Sequence, residues 1–334
     1  MSELYKGEQI NRDFKGKDIL SIEQFNNESL GVLYDEVDAT VQIVESEGGT
    51  DLLKWNFLAT NFYEASTRTE FSFRFAMLRH GGSVDGPSDK MQYSSVSKGE
   101  SLQDTAITFE QYADAIVMRH PQVGAVAVAA SETNIPVING GDGTGEHPTQ
   151  ALLDLYTIKK KMGKIDGLNI TLLGDLKNGR TVHSLAKLLA KYDTTINYVS
   201  PAELAMPKQY IEQLGELGIQ QYESTTLEDC LPTSDVLYVT RVQGERFLDQ
   251  ADYHRLKDHY RITPEVLEKA KDDMIVMHPL PRTGEITREV DADPRAAYFD
   301  QMKYGMYVRM GLLALVLGKT VQQPVNDTFL LTEL

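Results

Sequence analysis

Short apolar runs alternate with stretches of helical spacing along the first half of the chain. The runs predict the strands of a buried parallel sheet, in which both strand faces are apolar: residues 56–63, 83–85, 114–120 and 135–139. Between them, apolar positions recur at helical spacing over about residues 66–80, 100–112 and 123–133. The first half is therefore predicted to form a β-α-β-α-β unit.

A second alternation follows a glycine-rich break at residues 140–145 and a predicted helix over residues 148–162. Its apolar runs predict five strands: residues 169–173, 195–199, 219–222, 235–240 and 274–277. Helices are predicted over about residues 181–192, 207–217, 226–231 and 264–271. This half is predicted to form a second doubly wound unit.

The two ends of the chain have different patterns. Residues 1–20 are polar and mixed in charge, and we expect a loosely ordered lead-in before a helix over about residues 21–47. The last predicted helix, about residues 307–318, is apolar nearly all round and should be buried against the first domain. Residues 322–334 are expected to form a tail.

These patterns predict an α/β protein with two doubly wound parallel-sheet domains joined by helices. A length of 334 residues agrees, since single cores stop growing at about 250–300 residues. We place the first domain at residues 1–147 plus about 304–334, and the second at residues 148–303. The active site is expected in the cleft between the domains, because ligands bind at the carboxyl ends of parallel strands.

Composition restricts the partners and the compartment. With 33 basic and 49 acidic residues the net charge is −16, which disfavours nucleic acid and membrane surfaces as partners. The single cysteine, Cys230, excludes an internal disulfide and a cysteine-based zinc site. No leader or membrane-spanning pattern is visible, so we expect a cytoplasmic protein.

One stretch of the chain suggests a phosphate site. Ser66, Thr67, Arg68 and Thr69 follow an apolar run at the point where a helix should begin. A helix N-terminus carries free N–H groups and about half a positive charge, which favours a phosphate there. An ordinary capped helix with a solvated arginine explains this stretch alone equally well.

Further cationic side chains lie at or beyond the carboxyl ends of other predicted strands. Arg119, Arg180, Arg241 and His147 should meet Arg68 at one edge of the two sheets, and a local cationic site in an acidic protein indicates an anionic ligand. Residues 174–179 lack the second glycine of a dinucleotide fingerprint, and no P-loop sequence is present. The seven histidines are scattered singly, so neither a metal nor a cofactor is expected.

Seven short strings, taken in order, resemble the aspartate/ornithine carbamoyltransferase family over about residues 15–320. They are Ser66-Thr67-Arg68-Thr69, Ser94-Ser95-Val96-Ser97-Lys98-Gly99-Glu100, Met118-Arg119-His120-Pro121, His147-Pro148-Thr149-Gln150, Gly174-Asp175-Leu176-Lys177 with Arg180-Thr181-Val182-His183, Thr240-Arg241-Val242-Gln243, and Met277-His278-Pro279-Leu280-Pro281-Arg282. The resemblance implies transfer of a carbamoyl group from carbamoyl phosphate to an amino acid.

The resemblance also implies roles for the first-domain strings. Ser66 to Thr69 and Ser94 would hold the phosphate of carbamoyl phosphate, with Arg68 also on the leaving oxygen. Arg119 would bind phosphate and the carbonyl oxygen, to which Thr69 and His147 would donate. Gln150 and the backbone carbonyls of Pro279 and Leu280 would hold the carbamoyl NH2 group.

The second substrate is implied to be L-aspartate. Arg180, Arg241 and Gln243 would face it, together with Lys98 and Leu280, and two arginines suit two carboxylates. The cysteines and the Ser-Met-Gly loop of the ornithine branch do not occur at the matching positions. A carbamoyltransferase for another amino acid, such as ornithine, is the alternative.

Two more implications concern assembly and motion. Ser94 and Lys98 match a loop that enters the neighbouring subunit's site in the family, which implies a homotrimer. The sequence leaves open whether a regulatory chain or a dihydroorotase joins a higher assembly. Glu64 and Arg246 match positions that help to close the two domains. Gly244 stands where many members have lysine.

Overall fold

A computed structural model describes residues 5–85, 95–244, 247, 249–257 and 259–322. The chain forms two parallel α/β units, as the alternating pattern predicts. Among these residues, no helix is long and apolar enough to cross a lipid bilayer. The predicted loop at residues 86–99 lies mostly outside the described part, as does the predicted tail from residue 323 onwards.

The first unit is built on a four-stranded parallel sheet in the order β2-β1-β3-β4. Its strands are β1 Phe57–Phe62, β2 Ser83–Asp85, β3 Ala115–His120 and β4 Val137–Asp142. Its helices are α1 Asn27–Glu47, α2 Thr67–Arg79, α3 Leu102–Glu110 and α4 Ala125–Ala130. In this register Phe62 lies opposite Arg119, so the end of β3 adjoins the turn that leads into α2.

The second unit has five parallel strands in the order β7-β6-β5-β8-β9. Helix α5 Pro148–Met162 leads into strands β5 Leu168–Leu173, β6 Thr194–Val199, β7 Gln220–Ser224, β8 Val236–Val239 and β9 Ile275–Met277. The remaining helices of this unit are α6 Arg180–Leu189, α7 Lys208–Glu216, α8 Gln250–Leu256 and α9 Pro264–Leu267. The order reverses at β5, which is the switch point of a doubly wound sheet.

The last helix, α10 Tyr298–Val316, packs against α1, α2 and α5. It begins nine residues before the predicted start at residue 307. The prediction missed these first turns because they carry Asp300 and Lys303 among the apolar side chains. Its later turns are buried nearly all round, as the sequence predicts. Helices α5 and α10 together connect the two sheets.

The expectation of a loose lead-in is wrong for the described part of residues 1–20. Ile10, Phe14 and Ile19 are buried in the main core. The N–H of Ile19 donates to the Val137 carbonyl at 2.9 Å, and the N–H of Asn139 donates to the Ile19 carbonyl at 2.8 Å. This segment therefore lies beside β4, joined to it by an isolated bridge between Ile19 and Ile138. Its widely spaced apolar residues gave no regular period to detect.

Two smaller predictions differ from the structure, and one helix was not predicted. The helix predicted over residues 226–231 is two short 3-10 turns, Leu227–Asp229 and Leu231–Thr233, and Cys230 is buried between them. Helix α8 was missed because its sequence is largely polar. Strand β4 continues through the predicted glycine-rich break to Asp142.

We expect Phe14→Ala to lower the free energy of unfolding by about 3–5 kcal/mol, the usual cost of emptying a buried phenylalanine site. Urea denaturation at a fixed protein concentration measures the change. Leu217→Ala, at a side chain that is 67% exposed, is the control and should shift stability by less than about 0.5 kcal/mol. Equal stability of Phe14→Ala and the parent protein would show that the lead-in adds little to the core.

Candidate active site

A cleft of about 640 Å³ lies where the carboxyl ends of the two sheets face each other. It is lined by most of the side chains predicted from the sequence: Glu64, Ser66, Thr67, Arg68, Thr69, Arg119, His147, Gln150, Arg180, Arg241, Gln243, Pro279 and Leu280. Lys98 does not line it and lies at the end of the 3-10 turn Ser95–Lys98. Ser94 and Arg246 lie outside the described residues.

Helix α2 begins at the wall of this cleft, directly after β1. Ser66 occupies the N-cap position of this helix, but its hydroxyl makes no capping hydrogen bond to the first turn. The hydroxyl and the first-turn N–H groups can therefore serve a ligand. Glu70, in the same turn, is buried and lies 3.7 Å from Arg74 instead of lining the cleft, so its charge is directed away from this end.

Glu64 lies between guanidinium groups from both units. Its Oε2 atom is 2.8 Å from Arg119 Nη2 and 3.9 Å from Arg180 Nη2. Arg119 also donates to the Gly140 carbonyl at 3.2 Å, and Arg180 donates to the Gly143 carbonyl. Backbone carbonyls of the glycine-rich segment thus orient both arginines.

Gly141 explains why this segment is rich in glycine. Its φ of +115° disfavours any L side chain, and a Cβ there would lie 2.8 Å from Arg119 Nη1 and 3.0 Å from Arg180 Nη2. The glycines allow two arginines to approach the main chain closely. The sequence prediction of a simple break missed this function.

His147 is buried at the start of α5, where Pro148 occupies the first helical position. Its Nε2 atom is 3.3 Å from the Thr69 hydroxyl, and its backbone N–H donates to the Ser184 hydroxyl at 3.4 Å. Burial holds the pKa of His147 well below its ordinary value, and the charges of Arg180, Arg119 and Arg309 act in the same direction. The imidazole is therefore neutral at physiological pH, with one N–H to donate.

The turn after β9 forms another wall. The His278 N–H donates to Gln301 Oε1 at 2.9 Å, and the Leu280 N–H donates to His278 Nδ1 at 2.7 Å. Because Nδ1 accepts, Nε2 carries the proton and donates to Glu285 Oε1 at 2.7 Å. Leu280 has a φ of +53°, a left-handed conformation that these contacts maintain.

A buried carboxylate behind the cleft was missed by the sequence reasoning. Asp154 Oδ1 accepts from Gln150 Nε2 at 2.8 Å and from Gln301 Nε2 at 2.7 Å, while Oδ2 accepts from the Tyr238 hydroxyl at 2.7 Å. Burial raises the pKa of Asp154 to about 7, against these hydrogen bonds and the charge of Arg309. The i, i+4 spacing of Gln150 and Asp154 on a predicted helix was the available signal.

The opposite side of the cleft is also cationic and well ordered. The Gln243 N–H donates to Asp175 Oδ2 at 3.2 Å, and its side-chain amide donates to the Asn178 carbonyl at 3.0 Å. Burial and then the nearby charge of Arg241 lower the pKa of Arg68. The guanidinium groups of the two units are therefore close enough to repel each other across the cleft.

Two family models match most of the chain. The carbamoyl-P binding domain of aspartate/ornithine carbamoyltransferases matches residues 17–160, and their Asp/Orn binding domain matches residues 166–316. The chain belongs to the aspartate/ornithine carbamoyltransferase family. Fold, cleft and family match thus agree with the resemblance carried by the seven strings.

Individual relatives of this family are similar over nearly the whole chain. The aspartate carbamoyltransferase catalytic subunit of Thermococcus kodakarensis is 52% identical over 306 residues, which cover 92% of this chain and 98% of that protein. The multifunctional protein pyr1-3 of Dictyostelium discoideum is 56% identical over 306 residues, but these are only 14% of its length. A crystal structure of Trypanosoma cruzi aspartate transcarbamoylase with carbamoyl phosphate and aspartate has a TM-score of 0.87 and 42% identity, covering 92% of this chain and 99% of that one.

The described side chains offer no metal site of the usual kind. Among them, no group of three or more His, Cys, Asp or Glu residues lies close enough to hold an ion. The cleft instead offers guanidinium groups, hydroxyls, the neutral imidazoles of His147 and His278, and a helix N-terminus. Such an arrangement can bind an anion and stabilise negative charge on an oxygen.

We expect His147 to remain neutral well below pH 6.5, since folding buries it beside three arginines. NMR titration of 13C-labelled histidine measures this directly, with the His147→Gln protein identifying the signal. Because the unfolded chain binds this proton more tightly, His147 should lower stability as the pH falls below about 6.5. Titration of the His147 signal near pH 6.5 would contradict the burial argument.

Proposed function

We propose that this chain transfers the carbamoyl group of carbamoyl phosphate to the amine of L-aspartate. The products are N-carbamoyl-L-aspartate and phosphate, in an early step of pyrimidine biosynthesis. The observation that carries the proposal is the single cleft in which the Ser66–Thr69 helix start of one unit faces Arg180 and Arg241 of the other. The relatives named for aspartate carbamoyltransferase and the complex with both substrates support it.

The phosphate of carbamoyl phosphate binds at the start of α2. Ser66, Thr67 and Thr69 donate hydroxyl and backbone hydrogen bonds, and Arg68 contacts the phosphate and the bridging oxygen. Arg119 adds a second guanidinium from the neighbouring strand. The free N–H groups and the dipole of α2 favour the anion at this point.

Arg119, Thr69 and His147 converge on the carbonyl oxygen of the carbamoyl group. When the aspartate amine attacks the carbonyl carbon, negative charge grows on this oxygen, and a preorganised donor is worth about 3 kcal/mol of barrier. His147 donates as a neutral imidazole and so brings no charge that would need solvent. The C–O bond to phosphate then breaks, and the departing phosphate accepts the proton from the amine.

L-Aspartate binds on the side of the second unit. Arg180 and Arg241 pair with its two carboxylates, and Gln243 completes the pocket from the end of β8. Guanidinium groups bind carboxylates through two parallel hydrogen bonds, which favours a dicarboxylic amino acid. A diamino acid such as ornithine would place a second ammonium among these arginines.

Glu64 couples substrate binding to closure of the cleft. In this structure its carboxylate binds Arg119, which is also the proposed phosphate ligand. Carbamoyl phosphate competes for Arg119 and releases Glu64, which lies only 3.9 Å from Arg180 of the opposite unit. Glu64 then pairs across the cleft with Arg180 and Arg246 and holds the two domains together.

The functional domains are proposed at residues 1–147 plus about 304–334 for carbamoyl phosphate and at residues 148–303 for aspartate. The minimal assembly is a homotrimer in which Ser94 and Lys98 enter a neighbouring cleft. Lys98 does not line its own cleft, which supports this arrangement. A set of exposed apolar side chains near the first sheet and on α2 also supports it: Trp55, Phe57, Phe71, Phe75 and Tyr112. A regulatory chain, a dihydroorotase partner and a cytoplasmic location remain predictions.

The purified chain should form N-carbamoyl-L-aspartate from carbamoyl phosphate and L-aspartate, measured as product by chromatography. L-Ornithine at the same concentration should give less than about 1% of this rate, since its second cation meets Arg180 and Arg241 instead of a carboxylate. Turnover of ornithine without turnover of aspartate would overturn the substrate assignment.

Mixing two inactive variants tests the shared site. Lys98→Ala and Arg119→Ala should each lose more than about 99% of the rate, because each removes a charged group from the reacting complex. After dissociation and reassembly of an equal mixture, about a quarter of the sites should combine an intact cleft with an intact neighbouring loop. Activity should return to about that level. Mixtures that stay inactive, although mass measurements show mixed trimers, would place Lys98 in its own subunit's site or outside the reaction.

A further inference from the structure

Asp154 lies directly behind the wall that is proposed to hold the carbamoyl NH2 group. It is fully buried on α5, one turn after Gln150, and accepts three hydrogen bonds. Its donors come from three elements: Gln150 from α5, Tyr238 from β8 and Gln301 from α10. None of the roles proposed above uses this carboxylate.

An ionised carboxylate can only accept hydrogen bonds, so it decides which way a neighbouring amide points. The 2.8 Å contact to Asp154 requires the NH2 end of the Gln150 side chain. The carbonyl end of the same amide then remains for the cleft, which Gln150 also lines. An amide without this partner could turn by 180° and present its NH2 group instead, because both orientations fit the same space.

The same carboxylate orients a second amide. Gln301 gives its NH2 group to Asp154 at 2.7 Å, so its carbonyl oxygen accepts the His278 N–H at 2.9 Å. His278 begins the turn that carries Pro279 and Leu280, which line the cleft together with Gln150. The backbone carbonyls of these two residues are the proposed acceptors for the carbamoyl NH2 group. Asp154 thus orients the side-chain carbonyl of Gln150 directly, and it acts on the backbone carbonyls of Pro279 and Leu280 through Gln301.

A buried cation balances the charge of Asp154. Arg309 is buried on α10, and its guanidinium charge acts on Asp154 and on His147. Arg309 donates to the Thr149 hydroxyl and to the Gly305 carbonyl, both at 3.3 Å. The carboxylate and the guanidinium are held on facing helices, so Asp154 can remain ionised in an interior that would otherwise exclude its charge.

We propose that Asp154 is a positioning residue that makes the carbamoyl pocket a set of hydrogen-bond acceptors and so selects an acyl phosphate that carries an NH2 group. The inference rests on the proposed function. The carbamoyl NH2 group has two N–H donors to satisfy, whereas the methyl group of acetyl phosphate, of similar size, has none. Asp154 therefore favours binding of carbamoyl phosphate over acetyl phosphate without contacting either compound.

The test compares the KM of carbamoyl phosphate with the inhibition constant of acetyl phosphate as a competitor, at pH 8. In Asp154→Leu the side chain keeps its branched shape but has no oxygen, so Gln150 and Gln301 both lose the acceptor that fixes the orientation of their amides. KM for carbamoyl phosphate should rise about tenfold, while the constant for acetyl phosphate should change less than about twofold. A purely structural loss would weaken both compounds by the same factor.

Two further variants separate positioning from packing. Gln301→Met keeps the shape of the side chain but removes the amide. It should lower discrimination, which is the inhibition constant of acetyl phosphate divided by the KM of carbamoyl phosphate, about threefold. Tyr238→Phe removes a hydrogen bond from the other oxygen of the same carboxylate and should leave discrimination unchanged. If Asp154→Leu does not fold, as judged by circular dichroism, Gln301→Met decides alone.

Unchanged discrimination in a folded Asp154→Leu or in Gln301→Met would overturn the inference, as would an equal loss in Tyr238→Phe. These outcomes differ from failure of the proposed function. In that case the unsubstituted chain itself makes no carbamoyl aspartate, and the inference falls with it.

Discussion

Mutual repulsion of guanidinium groups is the constraint around which this cleft is built. Arg68, Arg119, Arg180 and Arg241 line one cavity, although the whole chain carries a net charge of −16. Among the described lining residues Glu64 is the one carboxylate, and it binds Arg119. Like charges at short range in a partly desolvated site raise the electrostatic free energy of the protein. An anionic substrate lowers this free energy because it lies between the guanidinium groups and reduces their repulsion. This accounts for anion affinity without a metal ligand set among the described residues.

Burial of the surrounding groups then determines what each one can do. His147 is neutral because it is desolvated and lies among arginines, so it can donate a hydrogen bond but offers no positive charge to an anion. His278 is also held neutral by burial, with its tautomer set by Leu280 and Glu285. In both cases the protein uses histidine as a directed hydrogen-bond group instead of a charge.

The sequence could predict the parts of the site that follow strands. Ser66 to Thr69, Arg119 and Arg241 each come after an apolar run, and the carboxyl ends of parallel strands meet at one edge. Gln301 and Glu285 could not be found this way, because no local pattern relates them to Asp154 and His278 before the chain is folded. The burial of Phe14 escaped for a similar reason, since a non-periodic segment that completes a core has no signature of its own.

The contacts also separate affinity from orientation. The proposed ligands of phosphate and carboxylate are arginines and a helix start, but such groups bind many anions and discriminate little among them. Directional preference comes from neutral and backbone groups such as Gln150, whose polarity Asp154 sets from inside the protein. Helices α5 and α10, which connect the two sheets, carry that carboxylate and Gln301. The elements that join the domains therefore also carry the groups that orient the proposed pocket.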